Sequence, residues 1–185
     1  MNTKKLSLLL WGTMSMVILF SSCDKLKEGT ITDRKAIKIT VETVVEGSPA
    51  TYASLHAGEV NTFSGTAYVR LSDIPELSGF NLSGLSSGTV KNVTIVTSCP
   101  ESGDFYAENV SIQTTGASTT INRIVIGETV TNNNDVNTLL QTLITNLISG
   151  STVPISISGT TNVNPPGKII SYILDIDVNW TSNLL

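Results

Sequence analysis

The sequence has little charge, a single histidine, two cysteines and few aromatic side chains. Of its 185 residues, 14% are charged and 5% are aromatic, and the formal net charge is −4. The pI near 4.9 and the scattered basic residues exclude a nucleic-acid binder that depends on attraction to phosphates. The chain has one histidine, His56, and thus very few of the side chains that a metal-dependent or proton-relay enzyme uses.

Threonine, serine and asparagine are abundant instead. The chain has 25 Thr, 22 Ser and 15 Asn, which together make up 62 of its 185 positions. Thr favours strands, whereas Ser and Asn favour turns, so this composition indicates a mainly β protein. An apolar fraction of 40% is enough for a packed core and excludes a disordered chain. The length corresponds to one domain with a short extension.

The N-terminus has the pattern of a secretory signal. Lys4 and Lys5 form a positive region, and residues 6–20 are apolar and uncharged. This run has the length of a signal-peptide core and is too short to span a bilayer. Ordinary signal cleavage requires small residues such as Ala-x-Ala, but no alanine precedes Ala36.

The apolar run ends at Phe20-Ser21-Ser22-Cys23. Small residues directly before a cysteine resemble the lipobox of bacterial lipoproteins, and the relaxed positions before them resemble lipoproteins of the Bacteroidota. Phe20 departs from the pattern, in which Leu is commonest. The resemblance covers residues 1–23 only. It implies cleavage before Cys23, acylation of that cysteine, and attachment to the outer membrane, facing either the cell surface or the periplasm.

The resemblance implies that residues 1–22 are the signal peptide and that Cys23 carries the lipid. Residues 24–34 are charged and lack a sustained period, so 23–34 are expected to be the lipidated cysteine and its tether, and 35–185 a single β-rich domain. Removal of the signal takes away Lys4 and Lys5 and no acid, so the net charge falls from −4 to −6. An acidic surface avoids anionic membranes, so the membrane is expected to be a partner only through the lipid on Cys23.

Alternation of apolar and polar residues predicts strands through most of the remaining chain. The predicted strands lie near residues 36–45, 63–71, 90–97, 105–114, 120–130, 153–158 and 170–180, with a short helical turn at 73–77. The last two strands, joined by Asn164-Pro165-Pro166-Gly167, are predicted to form a hairpin. The final strand is expected in the middle of the sheet, paired on both sides.

One amphipathic helix is predicted over residues 134–149. Apolar residues recur there with helical spacing and form one wide stripe, Val136, Leu139, Leu140, Leu143, Ile144, Leu147 and Ile148. Asn133 is among the residues suited to cap its start, and Gly150 is suited to end it. We interpret the helix as a cover for the sheet; the alternative is a movable lid over an apolar ligand.

These elements predict a mainly β fold, an antiparallel β-sandwich of about seven strands with one amphipathic helix. The alternative is a curved antiparallel sheet wrapped around the helix. The body resembles no domain family.

Three groups of residues are candidates for a chemical role. Asp175 and Asp177 lie on one strand face and form a weak candidate for a cation site, because a Ca²⁺ loop lacks its glycine here. Cys99 and His56 are a thiol and an imidazole, but nothing in the sequence places them together.

Gly84-Leu85-Ser86-Ser87-Gly88 matches the Gly-x-Ser-x-Gly pattern. That pattern needs a strand before the serine and a helix after it, whereas a Ser/Gly-rich loop is predicted before it here and a strand from Val90 after it. We therefore expect no catalytic residue, no cofactor and no enzyme. The sequence favours a lipid-anchored binding or structural module of the cell envelope; the alternative is a carrier or sensor of an apolar ligand held between helix and sheet. The protein or glycan partner is not indicated.

Overall fold

The computed structural model describes residues 29–47, 60–101, 103–131 and 133–183. The strands are β1 (Thr30–Glu46), β2 (Asn61–Val69), β3 (Leu85–Ser98), β4 (Tyr106–Thr114), β5 (Ala117–Val125), β6 (Thr129–Thr131), β7 (Val153–Thr161) and β8 (Ile169–Asn183). Helix α1 (Asn134–Ile148) lies between β6 and β7, and three short 3-10 helices, Leu71–Asp73, Pro75–Leu77 and Leu82–Gly84, lie between β2 and β3. Among the described residues, no helix is both long enough and apolar enough to cross a membrane.

The strands form one antiparallel sheet in the order β5–β4–β7–β2–β1–β8–β3–β6. The prediction of a mainly β antiparallel fold with one amphipathic helix is confirmed. The finer prediction, a β-sandwich of about seven strands, is corrected: all eight strands hydrogen-bond into a single sheet, so no second sheet is stacked on it. The arrangement is the predicted alternative, a curved antiparallel sheet with its helix.

The sheet is nearly closed on itself. β5 and β6 lie at opposite ends of the strand order, yet only residues 126–128 separate them in the chain. The Ile126 amide donates to the Phe105 carbonyl at 2.9 Å, and the Gly127 amide donates to the Thr97 carbonyl at 3.1 Å. The sequence predicted one strand over 120–130; the structure divides it here, because the chain crosses from one sheet edge to the other.

The middle of the sheet has a narrow joint. β1 pairs with β2 only through Val44–Glu46 and Thr62–Ser64, whereas it pairs with β8 along fifteen residues. A Cβ atom on Gly65 would lie 2.0 Å from the Glu42 carbonyl oxygen, so only glycine allows the two strands to approach this closely. The sheet therefore consists of two four-stranded halves, joined over three residue pairs.

The predicted C-terminal hairpin is wrong. β7 and β8 are not neighbours, because β2 and β1 lie between them in the sheet. The turn that contains Gly167 bonds to β1 instead: the Gly167 amide donates to the Val45 carbonyl at 2.7 Å, and the Val45 amide donates to the Lys168 carbonyl at 2.8 Å. The turn thus links the two halves of the sheet. The other expectation for β8 is confirmed, since β1 and β3 pair with it on either side.

The predicted tether is too long. It was expected to include residues 30–34, but β1 begins at Thr30. The reason lies in β8, which extends to Asn183 and provides a partner for each of these residues, from Thr30 opposite Asn183 to Arg34 opposite Asn179. Only residues 24–29 separate Cys23 from the first strand.

The core lies on the concave face of the sheet, under α1. Alternate residues of β8 are completely buried there: Ile170, Tyr172, Leu174, Ile176, Val178 and Trp180. The rings of Tyr172 and Phe63 stack with centroids 5.7 Å apart, which joins the two halves of the sheet through their side chains. The Trp180 indole donates to the Lys35 carbonyl at 3.4 Å, so this tryptophan belongs to the core.

Helix α1 confirms the predicted helix closely. The Asn133 side chain accepts hydrogen bonds from the amides of Asp135 and Val136, so it caps the first turn. Gly150 has a φ of 84°, as expected for the residue that ends a helix. The helix contacts β3 near one edge of the sheet and β4 and β5 at the other, so it covers the opening of the curled sheet.

Candidate functional site

The two aspartates of the candidate cation site lie on β8; Asp175 is opposite Lys38 of β1, and Asp177 is opposite Ala36 and diagonal to Arg34. The Arg34 Nε atom donates to Asp177 Oδ1 at 3.0 Å and to Oδ2 at 2.9 Å, and its Nη2 atom also contacts Oδ2. The Lys38 Nζ atom lies 3.9 Å from Asp175 Oδ2. Both carboxylates are therefore paired with cations of the neighbouring strand.

These charges stabilise one another. The hydrogen bond from Arg34 holds the pKa of Asp177 below its usual value, and the positive charges of Arg34 and Lys91 act in the same direction. Asp177 in turn raises the pKa of Arg34. A metal ion at Asp177 would have to displace a bidentate guanidinium. Within the described ranges, no three His, Cys, Asp or Glu side chains are grouped as a metal site requires.

Ser86 does not have the surroundings of a catalytic nucleophile. The 3-10 helix Leu82–Gly84 precedes it and β3 contains it, whereas a nucleophile elbow needs a strand followed by a helix. Its hydroxyl is exposed and donates to the Thr181 carbonyl at 3.2 Å. The serine therefore adds a side-chain hydrogen bond between the neighbouring strands β3 and β8.

Cys99 directly follows β3, is half-buried and packs against the core as a free thiol. Its candidate partner His56 lies outside the described residues, as does the predicted lipidation site Cys23.

Side chains fill the interface between α1 and the sheet. Six apolar residues of the helix stripe are at most 1% exposed: Val136, Leu139, Leu140, Leu143, Ile144 and Leu147. The contact is closest at Gly88 of β3, where an added Cβ atom would lie 2.6 Å from Ile144 Cγ2. This interface is packed as a core, and the helix serves as the cover that the sequence predicted.

The polar side of the contact between α1 and β3 depends on Gln141. Its Oε1 atom accepts from the Val90 amide at 2.8 Å, and its Nε2 atom donates to the Gly88 carbonyl at 2.8 Å. Asn162 provides a similar pair of bonds elsewhere, accepting from the Tyr106 amide at 2.8 Å and donating to the Asp104 carbonyl at 3.0 Å. Side-chain amides thus complete backbone hydrogen bonding where a neighbouring strand ends.

Two open grooves lie beside α1. One, of about 520 Å³, lies between the first half of the helix, including Thr138, and the start of β5 at Ala117–Thr119. The other, of about 500 Å³, lies at the C-terminal end of the helix. We call the second one the end groove; its lining includes Arg70, Leu82, Ser83, Leu147, Ile148 and Thr152.

The end groove combines an aliphatic floor with a basic rim. Leu82 and Ile148 are partly buried against the core, and Leu147 is fully buried. At the rim, the Arg70 Nε atom donates to the Thr152 hydroxyl at 2.7 Å. Such a groove can bind an apolar group, with the positive charge of Arg70 beside one end of that group.

Comparison of the chain with protein-family models, with curated proteins and with solved structures finds no match. Neither Arg70 nor Gln141 was predicted to be a site residue, because neither belongs to a motif. Arg70 becomes notable only once the chain folds and the segments before β3 and before β7 meet beside it.

Proposed function

We propose that the protein is a lipid-anchored component of the cell envelope, whose β domain is a non-catalytic binding or structural module. The observation that carries this proposal is the Phe20-Ser21-Ser22-Cys23 sequence directly after an apolar, uncharged run. The proposed acyl chains on Cys23 attach the domain to the outer membrane, because two or more chains hold stably where one does not.

The described domain is consistent with a non-catalytic role. Asp175 and Asp177 are engaged by Lys38 and Arg34, and the Ser86 hydroxyl bonds to a strand backbone. The proposed attachment is also close to the fold, because only residues 24–29 lie between Cys23 and β1.

A carrier or sensor of an apolar ligand is the second candidate. The end groove favours it, because the partly buried Leu82 and Ile148 offer an aliphatic surface at the end of α1. The packed interface beneath the helix is less suited to such a ligand, since helix side chains already fill it.

Metabolic labelling with an alkyne fatty acid tests the proposal, with Cys23→Ser as the variant and Cys99→Ser as its matched control. We expect the wild-type protein and Cys99→Ser to be labelled and to sediment with membranes, and Cys23→Ser to lose both properties. Label that persists in Cys23→Ser, or an N-terminal peptide whose mass shows no lipid on Cys23, would contradict the proposal. Protease accessibility on intact and lysed cells then distinguishes a surface-facing domain from a periplasmic one.

A further inference from the structure

The two halves of the sheet differ in charge. β1 alone contains six charged residues, among them Arg34 and Lys38, which contact the aspartates of β8. β2, β4, β5 and β7 together contain only two, Arg123 and Glu108, whose Nη1 and Oε1 atoms lie 3.6 Å apart. The half of the sheet formed by these four strands therefore has almost no charge outside this ion pair.

Hydroxyl and amide side chains line up across the outer face of the uncharged half. In β7, Ile155 and Ile157 are completely buried, so Ser156 and Ser158, which alternate with them, point away from the core. The registers of the four strands continue these two positions into two rows. One row is Ser118, Gln113, Ser156 and Thr66, and the other is Thr120, Ser111, Ser158 and Ser64. We call these two rows the neutral face.

One exposed aromatic ring borders the neutral face. Tyr68 lies on β2 two residues after Thr66, opposite Pro154 of β7, and is 73% exposed. Among the described residues, no hydrogen bond, ion pair or ring contact engages its side chain. Tyr106 of β4 differs, because the Arg123 guanidinium lies 4.1 Å from the centre of its ring. Tyr68 therefore presents an uncovered aromatic surface beside the two rows.

This combination of groups suits a neutral polysaccharide. Each hydroxyl or amide side chain can both donate and accept a hydrogen bond, as each hydroxyl of a sugar does. The face of an aromatic ring can stack on the apolar C–H side of a sugar ring. In charge, the neutral face matches an uncharged polymer, whereas an anionic polymer would find no unpaired cation there. The core of a protein interface is typically apolar, and the two rows contain no apolar residue.

The dimensions of the neutral face suit a polymer better than a single sugar. Each row crosses four strands and is thus about 14 Å long, and the rows are about 7 Å apart, as is Tyr68 from Thr66. Thr66 and Ser156 lie on neighbouring strands with their hydroxyl oxygens 2.8 Å apart, so they form one continuous polar surface. Several consecutive sugar units can therefore contact the aromatic ring and both rows together.

We propose that the neutral face and Tyr68 bind a neutral polysaccharide. One sugar ring stacks on Tyr68, and neighbouring sugar units exchange hydrogen bonds with Thr66, Ser156 and Gln113. The inference deepens the proposed function: it rests on the role of the domain as a binding module and does not depend on the lipid anchor.

Affinity electrophoresis of the full-length protein in a polyoxyethylene detergent tests the inference. Native gels contain dextran, mannan, arabinoxylan or xyloglucan as neutral probes, or polygalacturonate as the anionic probe. We expect at least one neutral polysaccharide to slow the protein relative to albumin. With that polysaccharide, Tyr68→Ala should raise the Kd about tenfold, as expected for loss of a central aromatic contact. Gln113→Ala should raise it about threefold, as expected for loss of one hydrogen bond.

Tyr106→Ala is the matched control, because its ring on the same outer face is already covered by Arg123. This variant should keep the wild-type Kd. Tyr68 and Gln113 are exposed, so their substitution should preserve the fold, and unchanged Trp180 fluorescence checks this for every variant.

The outcomes separate this inference from the proposed anchor. No retardation in any neutral gel, or retardation by polygalacturonate alone, overturns the inference. Retardation that Tyr68→Ala leaves unchanged also overturns it, because the polysaccharide would then bind elsewhere. Fatty-acid label on Cys23 without polysaccharide binding removes the inference and leaves the anchor. Polysaccharide binding that depends on Tyr68, in a protein without lipid on Cys23, supports the inference and removes the anchor.

Discussion

The side-chain amide of Gln141 pairs with the backbone of Val90 as a neighbouring strand would. On this side of β3, β6 pairs only with Thr94–Val96, so the earlier part of the strand has no strand neighbour there. Gln141 accepts from the Val90 amide and donates to the Gly88 carbonyl, each at 2.8 Å. Helix α1 therefore covers the sheet with its apolar stripe. Through Gln141 it also adds two hydrogen bonds to the free side of β3.

Replacement of Gln141 by alanine is expected to destabilise the fold. Gln141→Ala leaves the part-buried Val90 amide and Gly88 carbonyl without their partner, and an unsatisfied buried group costs about 1–3 kcal/mol. The free energy of unfolding, from urea titration followed by Trp180 fluorescence, should fall by an amount in that range. Thr138→Ala, an exposed change on the same helix, is the control and should stay within about 0.5 kcal/mol of wild type. Equal stability of the two variants would argue against the strand-like role of Gln141.

Gly65→Ala is expected to disrupt the joint between the two halves of the sheet. Its Cβ atom would lie 2.0 Å from the Glu42 carbonyl oxygen, and a backbone atom cannot move aside as a flexible side chain can. We expect a loss of at least about 3 kcal/mol in the free energy of unfolding, at the upper end of the usual cost of overpacking. Ser64→Ala changes an exposed residue of the same short ladder and should have little effect. A Gly65→Ala protein as stable as Ser64→Ala would contradict the close approach of β1 and β2.

Tyr172→Phe is expected to preserve or increase stability at neutral pH. The Tyr172 ring is buried in the core, and its hydroxyl has no hydrogen-bond partner among the described residues. Removal of an unsatisfied buried hydroxyl should contribute between zero and about 2 kcal/mol of stability. Tyr68→Phe, at an exposed tyrosine, is the control. A clear loss of stability in Tyr172→Phe would indicate a partner for the hydroxyl.

The same residue predicts an alkaline dependence. Burial raises the pKa of Tyr172 above its ordinary value of 10.0, so above about pH 10 the unfolded chain releases this proton while the folded protein keeps it. The free energy of unfolding therefore does not depend on this tyrosine below about pH 10, and it declines as the pH rises above that value. In unfolding titrations between pH 9 and 12, the decline should be smaller for Tyr172→Phe than for Tyr68→Phe.

Asp177 predicts an acid dependence of the opposite sign. Its pKa lies below the ordinary value of 3.8, mainly because Arg34 donates to the carboxylate. The stabilisation from the contact between Arg34 and Asp177 is thus present above about pH 4 and is lost as the pH falls through the lowered pKa of Asp177. Asp177→Asn should have a flatter stability profile between pH 5 and 2 than Asp33→Asn, an exposed aspartate of β1. The difference should shrink in 1 M salt, which screens exposed charges. A difference that does not respond to salt would count against the ion pair.

The sequence was sufficient to predict the helix and most strands, but it did not predict which strands pair with each other. Helix α1 and strand β8 were predictable because their apolar residues repeat with periods that belong to a helix and a strand. The hairpin of β7 and β8 was wrong because pairing depends on contacts far apart in the chain. The turn at Gly167 suits a hairpin locally, but its hydrogen bonds go to Val45, more than a hundred residues earlier. Local periodicity contains no information on that choice.

The same distinction applies to the candidate sites. The spacing of Asp175 and Asp177 was enough to place them on one face of a strand. Which cations they contact depends on the pairing register of β1 and β8, which sets Lys38 opposite Asp175. Gln141 stood among several polar residues of the helix, and its partner Val90 lies 51 positions away. Arg70 likewise gained its surroundings from segments that only the fold brings together.

The long ladder between β1 and β8 determines how the domain resists mechanical load. An anchor on Cys23 would apply a pulling force to the N-terminus of β1, along the axis of the strand. Fifteen residue pairs join β1 to β8, and their hydrogen bonds run across the strands. A pull toward the membrane, against a partner held at the far end, would therefore load these bonds together in shear instead of unzipping them one by one.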